Sequence, residues 1–287
     1  MNNAGRASSS SPCDPLSAPS ELAARLVDWF TAPHYVVALS GGVDSAVVAM
    51  ALSRSRRDGI LVTAVGPSVS EADLADARHL AHQAQMPHVE LATAESSDPA
   101  YQRNDIRRCY HCKSHLFQAI VDAYPGRLIL TGTNADDLSD YRPGLQAADE
   151  YAVRTPLAEL GIAKEQVREL AKLWGIDVAD KPASPCLASR IAYGTEVTPK
   201  RLQMIEAAEA YLHSLGLGDL RVRLHEGQLA RLEIAPEEIG HVMRPEVYGA
   251  IDRKLRELGF LFVTLDLQGL RSGSLNQLVP LELRNPT

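Results

Sequence analysis

Ser40-Gly41-Gly42-Val43-Asp44-Ser45 decides how the chain is read. It is preceded by a short β-branched apolar run, His34 to Leu39, and followed by an apolar stretch from Ala46 to Ser53 that can continue as a helix. The order is strand, glycine turn, helix. Paired glycines let the backbone take positive φ and approach a ligand, while the unpaired N–H groups at the helix start point at an anion. No G-x-x-x-x-G-K-[ST] pattern occurs, so this is a phosphate loop of a different kind from the Walker motif.

Outward from the loop, strands and helices alternate. Ile60 to Val65 reads as a strand, Ser70 to Gln85 as a helix with Ser70 as N-cap, and His88 to Leu91 as another strand. Cys109 to Tyr124 has helical period, Arg127 to Thr131 is a buried strand, and Ala163 to Trp174 is again helical. Such alternation predicts a mostly parallel, doubly wound α/β sheet with its ligands at the strand C-termini. Ser20 has the look of a cap for a helix that leads into the first strand. Residues 1–19 carry no hydrophobic period and read as a disordered tail, with Cys13 in it.

Past the proline-punctuated segment Lys181 to Arg190 the pattern changes. From Thr198 it runs helix, two strands (Leu220 to His225, Leu229 to Ile234), helix (Pro245 to Leu258) and strand (Phe260 to Leu265). This predicts residues 20–194 as the α/β domain and 195–287 as a smaller C-terminal α+β domain for substrate binding or oligomerisation.

The 287 residues are 45% hydrophobic, with net charge −7 and a pI near 5.7. That is a globular composition, and its acidity argues against a surface built to neutralise nucleic acid. No run approaches a membrane span and no signal segment is recognisable, so a cytoplasmic protein with no membrane partner is expected. Four cysteines are too few for a disulfide scaffold and suit metal or catalytic use.

Three polar clusters carry chemistry. Gly132-Thr133-Asn134-Ala135-Asp136-Asp137 ends a strand, where Thr133 and Asn134 can meet a nucleotide and Asp137, with Asp44, can organise Mg²⁺; an Asx-rich helix cap is the plain alternative. Cys109-Tyr110-His111-Cys112 and Cys186 form the second. Three thiolates suit zinc completed by His111 or His115, or an iron–sulfur cluster with one iron open. Cys186 is also a candidate nucleophile, with Arg190 beside it to favour a thiolate and a bound anion. The third cluster comprises Arg221, Arg223, His225, Arg231 and Glu233 on two strands, then Arg271-Ser272-Gly273-Ser274. By alternation it is either a solvated face or an anion clamp.

SGGVDS resembles the loop of the PP-loop ATP pyrophosphatases (adenine nucleotide alpha hydrolase-like). Together with DIRRCYHCKSHLF, TGTNADDLSDYRPG, SPCLASRIAYGTEVT, RVRLHEGQLARLEI and LDLQGLRSGSLN it resembles, in order and over roughly residues 20–280, the LarE family of ATP-dependent sulfur transferases in nickel-pincer nucleotide synthesis. The resemblance implies adenylation of a carboxylate of pyridinium-3,5-biscarboxylic acid mononucleotide by ATP and Mg²⁺, pyrophosphate release, and conversion to a thiocarboxylate. Ser40, Gly41, Gly42, Asp44 and Ser45 match the loop, and Arg221, Arg223, Glu233 and Arg271 match the second-domain motifs, with Glu233 as base or clamp. Where only the match to Cys186 is present, family members surrender its sulfur and keep dehydroalanine. Here Cys109, Cys112 and Cys186 resemble the branch in which three cysteines hold a 4Fe-4S cluster carrying the transferable sulfide. A homo-oligomer and other nickel-pincer biosynthesis proteins as partners are further implications. A PP-loop tRNA thiolase, an amide-forming enzyme of the NAD or GMP synthetase kind, and a non-catalytic nucleotide or metal sensor are the competing readings.

Overall fold

The computed structural model describes residues 18–139, 143–182, 184–271 and 275. Cys13, Ser272-Gly273-Ser274 and residues 140–142 of the TGTNADDLSDYRPG motif lie outside them. Its elements are α1 (Pro19–Asp28), β1 (His34–Ala38), α2 (Val43–Ser55), β2 (Asp58–Val65), α3 (Glu71–Ala84), β3 (His88–Ala92), α4 (Pro99–Gln102), α5 (Arg108–Ala123), β4 (Leu128–Leu130), α6 (Pro143–Glu150), α7 (Pro156–Glu159) and α8 (Lys164–Leu173). After the segment that carries Cys186 come α9 (Pro199–Ser214), β5 (Leu220–His225), β6 (Leu229–Ile234), α10 (Ile239–Val242), α11 (Pro245–Leu258) and β7 (Phe262–Leu265).

The first four strands form one parallel sheet in the order β3-β2-β1-β4. Side chains of β1 alternate between its faces, as a pleated strand requires. Tyr35, Val37 and Leu39 pack with α1, α2, α3 and α8, while Val36 and Ala38 pack with α5 and α6. Helices therefore cover both faces, and the doubly wound expectation holds. α2 is buried from Val43 through Leu52 apart from Asp44, which explains why its sequence is apolar all round rather than amphipathic.

From β1 the chain builds outward through β2 and β3, then crosses back to place β4 on the other side of β1. The reversal opens a crevice between β1 and β4 at their C-terminal ends, where doubly wound sheets bind ligands. SGGVDS follows β1 and the TGTNADD segment follows β4.

The second sheet has the order β5-β6-β7, antiparallel then parallel, with α9 and α11 against it. Its core also takes in Leu187, Ala188 and Ile191, and Tyr101 from α4. Ser70 caps α3 as expected, its Oγ accepting from the Asp73 amide at 3.1 Å. Ser20 does not cap α1; that helix begins at Pro19 with Ala18 before it, since proline at a first helical position needs no partner for an N–H.

Candidate active site

The phosphate loop is built by close approach. Gly41 has φ +77°, and a Cβ there would stand 2.5 Å from the carbonyl oxygen of Asp73. The Ser45 hydroxyl donates to the Gly42 carbonyl at 3.0 Å and accepts from the Ser40 amide at 3.1 Å, closing the turn on itself. Gly42 stands at the N-cap of α2 and offers no side-chain cap. The first-turn N–H groups of this 13-residue helix are therefore oriented toward an anion.

Across the crevice, Gly132 lets the post-β4 segment press against α2; a Cβ at Gly132 would stand 2.5 Å from the Ser45 amide nitrogen. Asn134, 2% exposed, donates from Nδ2 to Asp44 Oδ1 at 3.1 Å and accepts from the amides of Asp136 and Asp137. Asp137 Oδ2 accepts from the Asn134 amide at 3.2 Å. The Thr133 carbonyl accepts from Ala158 at 3.2 Å, and the Thr133 hydroxyl faces that of Thr131. Lys164, the first residue of α8, pairs through Nζ with Asp44 and donates its amide to Asp136 Oδ2 at 2.8 Å. The sequence reading missed Lys164. Its spacing from the loop is 120 residues, and only the turn before α8 brings it to the crevice.

Cys186 lies near enough to Cys112 to influence its thiol, and Cys109 does so more weakly. Cys109 and Cys112 share one face of the first turn of α5, and Cys186 leads a short 3₁₀ turn, Leu187–Arg190. That turn is fastened from four directions. The Leu187 amide donates to the Ser68 carbonyl beyond β2 at 2.9 Å; Arg108 of α5 donates to the Ala188 carbonyl at 2.9 Å; Arg223 of β5 donates to the Ser189 carbonyl at 3.1 Å. Arg190 holds the carbonyls of Pro185 and Cys186 and is itself clamped bidentately by Glu209 of α9, at 3.1 and 3.2 Å. Asn104 extends the seam, donating from Nδ2 to the carbonyls of Ala192 and Thr195 at 2.9 and 2.8 Å.

Burial pushes the Cys112 thiol up to about 12, with Cys186 adding to it. At Arg108, burial works to lower the pKa and is outweighed by the neighbouring Cys109 and Cys186, so the guanidinium is held in its charged form. Its direct partners are the Asn104 amide oxygen and the Ala188 carbonyl rather than a carboxylate.

On the second sheet, Arg221, Arg223 and His225 do share a face, on which Arg223 is buried and Arg221 and His225 are half-buried. Glu233 is 0% exposed and lies between Arg223, at 2.9 Å, and Arg231, at 3.1 Å. Arg231 also pairs with Asp266, to which Arg271 reaches at 3.4 Å. Burial first, then the charge of Arg190, lowers Arg221. Arg190, Arg221 and Arg223 thus gather next to the Cys186 turn, with Glu209 and Glu233 balancing Arg190 and Arg223.

Among the described residues, no three His, Cys, Asp or Glu side chains are close enough to share one metal ion. A cubane cluster spreads its thiolates over separate irons, so the donor chemistry decides the fit. Cys112 is a buried thiol whose neighbours oppose its ionisation, and the carboxylate Glu95 is 2% exposed with Oε2 unpartnered. Sulfur donors beside a carboxylate fit a soft metal cluster rather than Mg²⁺. Of the described helices, none is long and apolar enough to cross a membrane.

A parallel sheet with SGGVDS and TGTNADD on either side of its switch point defines a PP-loop nucleotide-binding protein, and the asparagine synthase family profile matches residues 30–112. The chain is 36% identical over 247 residues to the pyridinium-3,5-bisthiocarboxylic acid mononucleotide synthase of Lactiplantibacillus plantarum, covering 84% of this chain and 88% of that one. It belongs to that family, the LarE family of PP-loop enzymes. An uncharacterised protein of Synechocystis sp. is 43% identical over 85% of this chain and 92% of its own. Another, from Methanocaldococcus jannaschii, is 28% identical over 88% and 96%. The solved NMN synthetase of Francisella tularensis overlays with TM-score 0.45 and 21% identity, covering 58% of this chain and 76% of its own.

Proposed function

We propose that the protein is an ATP-dependent sulfur transferase that adenylates a carboxylate of pyridinium-3,5-biscarboxylic acid mononucleotide and converts it to a thiocarboxylate. The observation that carries this reading is the 2.9 Å bond from the Leu187 amide to the Ser68 carbonyl. It seats Cys186 at the end of β2, the strand beside the one that delivers SGGVDS.

The chemistry follows from that juxtaposition. The substrate carboxylate attacks the α-phosphorus of ATP and expels pyrophosphate toward the α2 N-terminus, with Lys164 and the Asp44–Asn134 pair arranged around the departing charge. Mg²⁺, held by Asp44 and Asp137, would offset the same charge. The resulting acyl-adenylate is a mixed anhydride. A sulfur nucleophile adds to its carbonyl carbon and AMP leaves with the bonding pair. Arg221 and Arg223, with Arg190 behind them, suit the mononucleotide's phosphate, while Glu233 holds Arg223 and Arg231 rather than facing the substrate.

A 4Fe-4S cluster on Cys109, Cys112 and Cys186 would supply a renewable sulfide, so that Cys186 keeps its own sulfur. A cytoplasmic homo-oligomer working with other nickel-pincer biosynthesis proteins belongs to the same proposal.

Anaerobic purification with iron and acid-labile sulfide analysis tests it, on wild type and Cys109→Ala. About four irons per chain, lost in the variant, support the cluster route. Iron-free protein that makes one thiocarboxylate per chain while Cys186 loses about 34 Da, as expected for a nucleophile that gives up its sulfur, means that Cys186 is consumed instead. Pyrophosphate release that does not depend on the nucleotide substrate, or that persists in Asp44→Ala, overturns the adenylation step.

A further inference from the structure

Lys181, like Lys164, closes a long-range contact beside the crevice, and the chemistry above gives it no task. Its Nζ reaches Asp73 Oδ1 at 3.0 Å and Asp76 Oδ2 at 2.5 Å, both on α3. Its main chain is held separately: the amide donates to the Val178 carbonyl at 3.0 Å, and Arg168 of α8 donates to its carbonyl at 3.5 Å. Burial works to lower the Lys181 pKa and is outweighed by the bonds to Asp76 and Asp73, so the ammonium keeps its charge. The side chains of Lys181 and Asp73 are only 25% and 12% exposed, and a partly buried pair of this kind is screened far less than one in open solvent.

The contact falls on the wall behind the phosphate loop. The Asp73 carbonyl oxygen and the Asp76 Cβ are among the atoms that a side chain at Gly41 would meet, at 2.5 and 3.4 Å. Ser70 Oγ donates to Asp73 Oδ2 at 2.8 Å, which leaves Oδ1 for Lys181. The Glu71 amide donates to Glu206 of α9 at 2.9 Å. The first turns of α3 therefore touch the phosphate loop, the second sheet's helix α9 and Lys181 at once.

Further along the chain, the Leu187 amide is tied to the Ser68 carbonyl in the loop that precedes α3. The run that presents Cys186 is thus pinned at Lys181 and again at Leu187, both times to the stretch between β2 and the start of α3. Pro182 and Pro185, both exposed, fix their φ angles and take slack out of the run between the two anchors. A stiff run held at both ends passes the position of one anchor to the other.

We propose that Lys181 is a positioning residue for sulfur transfer: through Asp73 and Asp76 it holds the Cys186 segment in register with the phosphate loop, so that an acyl group activated at the loop meets the sulfur. This rests on the sulfur-transferase reading above, and it holds whether Cys186 gives up its sulfur or keeps it. The contact of Asp73 with Gly41 is made by main-chain atoms and does not pass through Lys181. Loss of Lys181 therefore separates the two halves of the reaction, sparing adenylation and slowing transfer.

Full-length wild type, Lys181→Met, Lys181→Arg and Asp76→Asn are compared for nucleotide-dependent pyrophosphate release, for thiocarboxylate formed, and for hydrogen exchange at the Leu187 amide. In Lys181→Met, pyrophosphate release is expected to stay near the wild-type rate. Thiocarboxylate formation is expected to fall roughly 10- to 100-fold, the scale set by a misplacement near 1 Å at a reacting centre. Exchange at Leu187 is expected to quicken while peptides from α2 exchange as in wild type. Asp76→Asn is expected to show the same split in weaker form, and Lys181→Arg, whose guanidinium can still bridge two carboxylates, to restore transfer. If Lys181→Met transfers sulfur at the wild-type rate, or if both steps fall by the same factor, Lys181 does not position the sulfur although the transferase reading stands. A wild type whose pyrophosphate release ignores the nucleotide substrate overturns both readings.

Discussion

Replacing Gly132 by alanine probes how closely the two halves of the crevice must meet. The added Cβ would stand 2.5 Å from the Ser45 amide nitrogen, 2.7 Å from the Asp44 carbonyl carbon and 2.9 Å from the Ser45 Cα. All three are backbone atoms, so no rotamer change relieves the overlap. Ordinary contact begins at 3.4 Å, and 3.4 − 2.5 leaves about 0.9 Å by which the post-β4 segment and the start of α2 must part. Gly132 has no positive φ, so the effect is contact alone. Overpacking of this kind costs about 1–3 kcal/mol, and in a chain of this size each kcal/mol lowers the melting temperature by roughly 2 °C. The displacement also separates Asn134 from Asp44, and a misplacement near 1 Å at a reacting centre costs on the order of 10²-fold in rate. Calorimetric melting together with pyrophosphate release at saturating ATP checks both. Gly249→Ala in α11, where a Cβ meets nothing within 4 Å, serves as control. A Gly132→Ala protein that melts and turns over like wild type would refute the argument.

Lys164→Met removes the cation that faces Asp44 and is expected to lower pyrophosphate release by about 10²-fold, as loss of one preorganised charge contact does, with the circular dichroism spectrum unchanged. In iron-free protein at pH 8, iodoacetamide is expected to alkylate exposed Cys109 well before Cys112, whose thiol is pushed up to about 12; peptide mass mapping that finds Cys112 labelled first contradicts that environment. Burial, then the charge of Arg231, holds the His225 pKa below its ordinary value. The folded state thus resists a proton that the unfolded chain accepts near pH 6.5, and this residue's contribution to stability falls as pH drops from about 7 through the low sixes and below. Melting curves from pH 7.5 to 5.5 are expected to decline less steeply in His225→Gln, and an unchanged slope would remove His225 from the cause.

The α/β alternation was legible because each strand run is short, β-branched and bounded by glycine or a cap, and because α2 and β1 announce burial on all sides. SGGVDS declared the crevice, and TGTNADD named its far wall. What stayed hidden were partnerships across long sequence separations. Nothing local marks Lys164 as the partner of Asp44, and Glu95 looks like an ordinary surface glutamate in the polar run ESSD. Arg190 read as a free cation near a thiol, whereas Glu209, on the next helix, occupies its guanidinium. The helix from Pro143 to Glu150 was not anticipated either, because it follows a proline-led polar segment and has only Ala147 and Ala148 buried.

The donors that fasten the Cys186 turn grip main-chain oxygens, Arg190 on Pro185 and Cys186, Arg108 on Ala188 and Arg223 on Ser189, with one added side-chain contact from Arg190 to Ser189 Oγ. Carbonyls are common to every amino acid, so the grip is indifferent to which side chain the turn displays. The position of Cys186 can be vacated, filled by serine or reduced to dehydroalanine, and the backbone that presents it keeps its anchors. A spent or altered reactive group would leave the holder intact, and one scaffold can serve both a consumed sulfur and a renewable one.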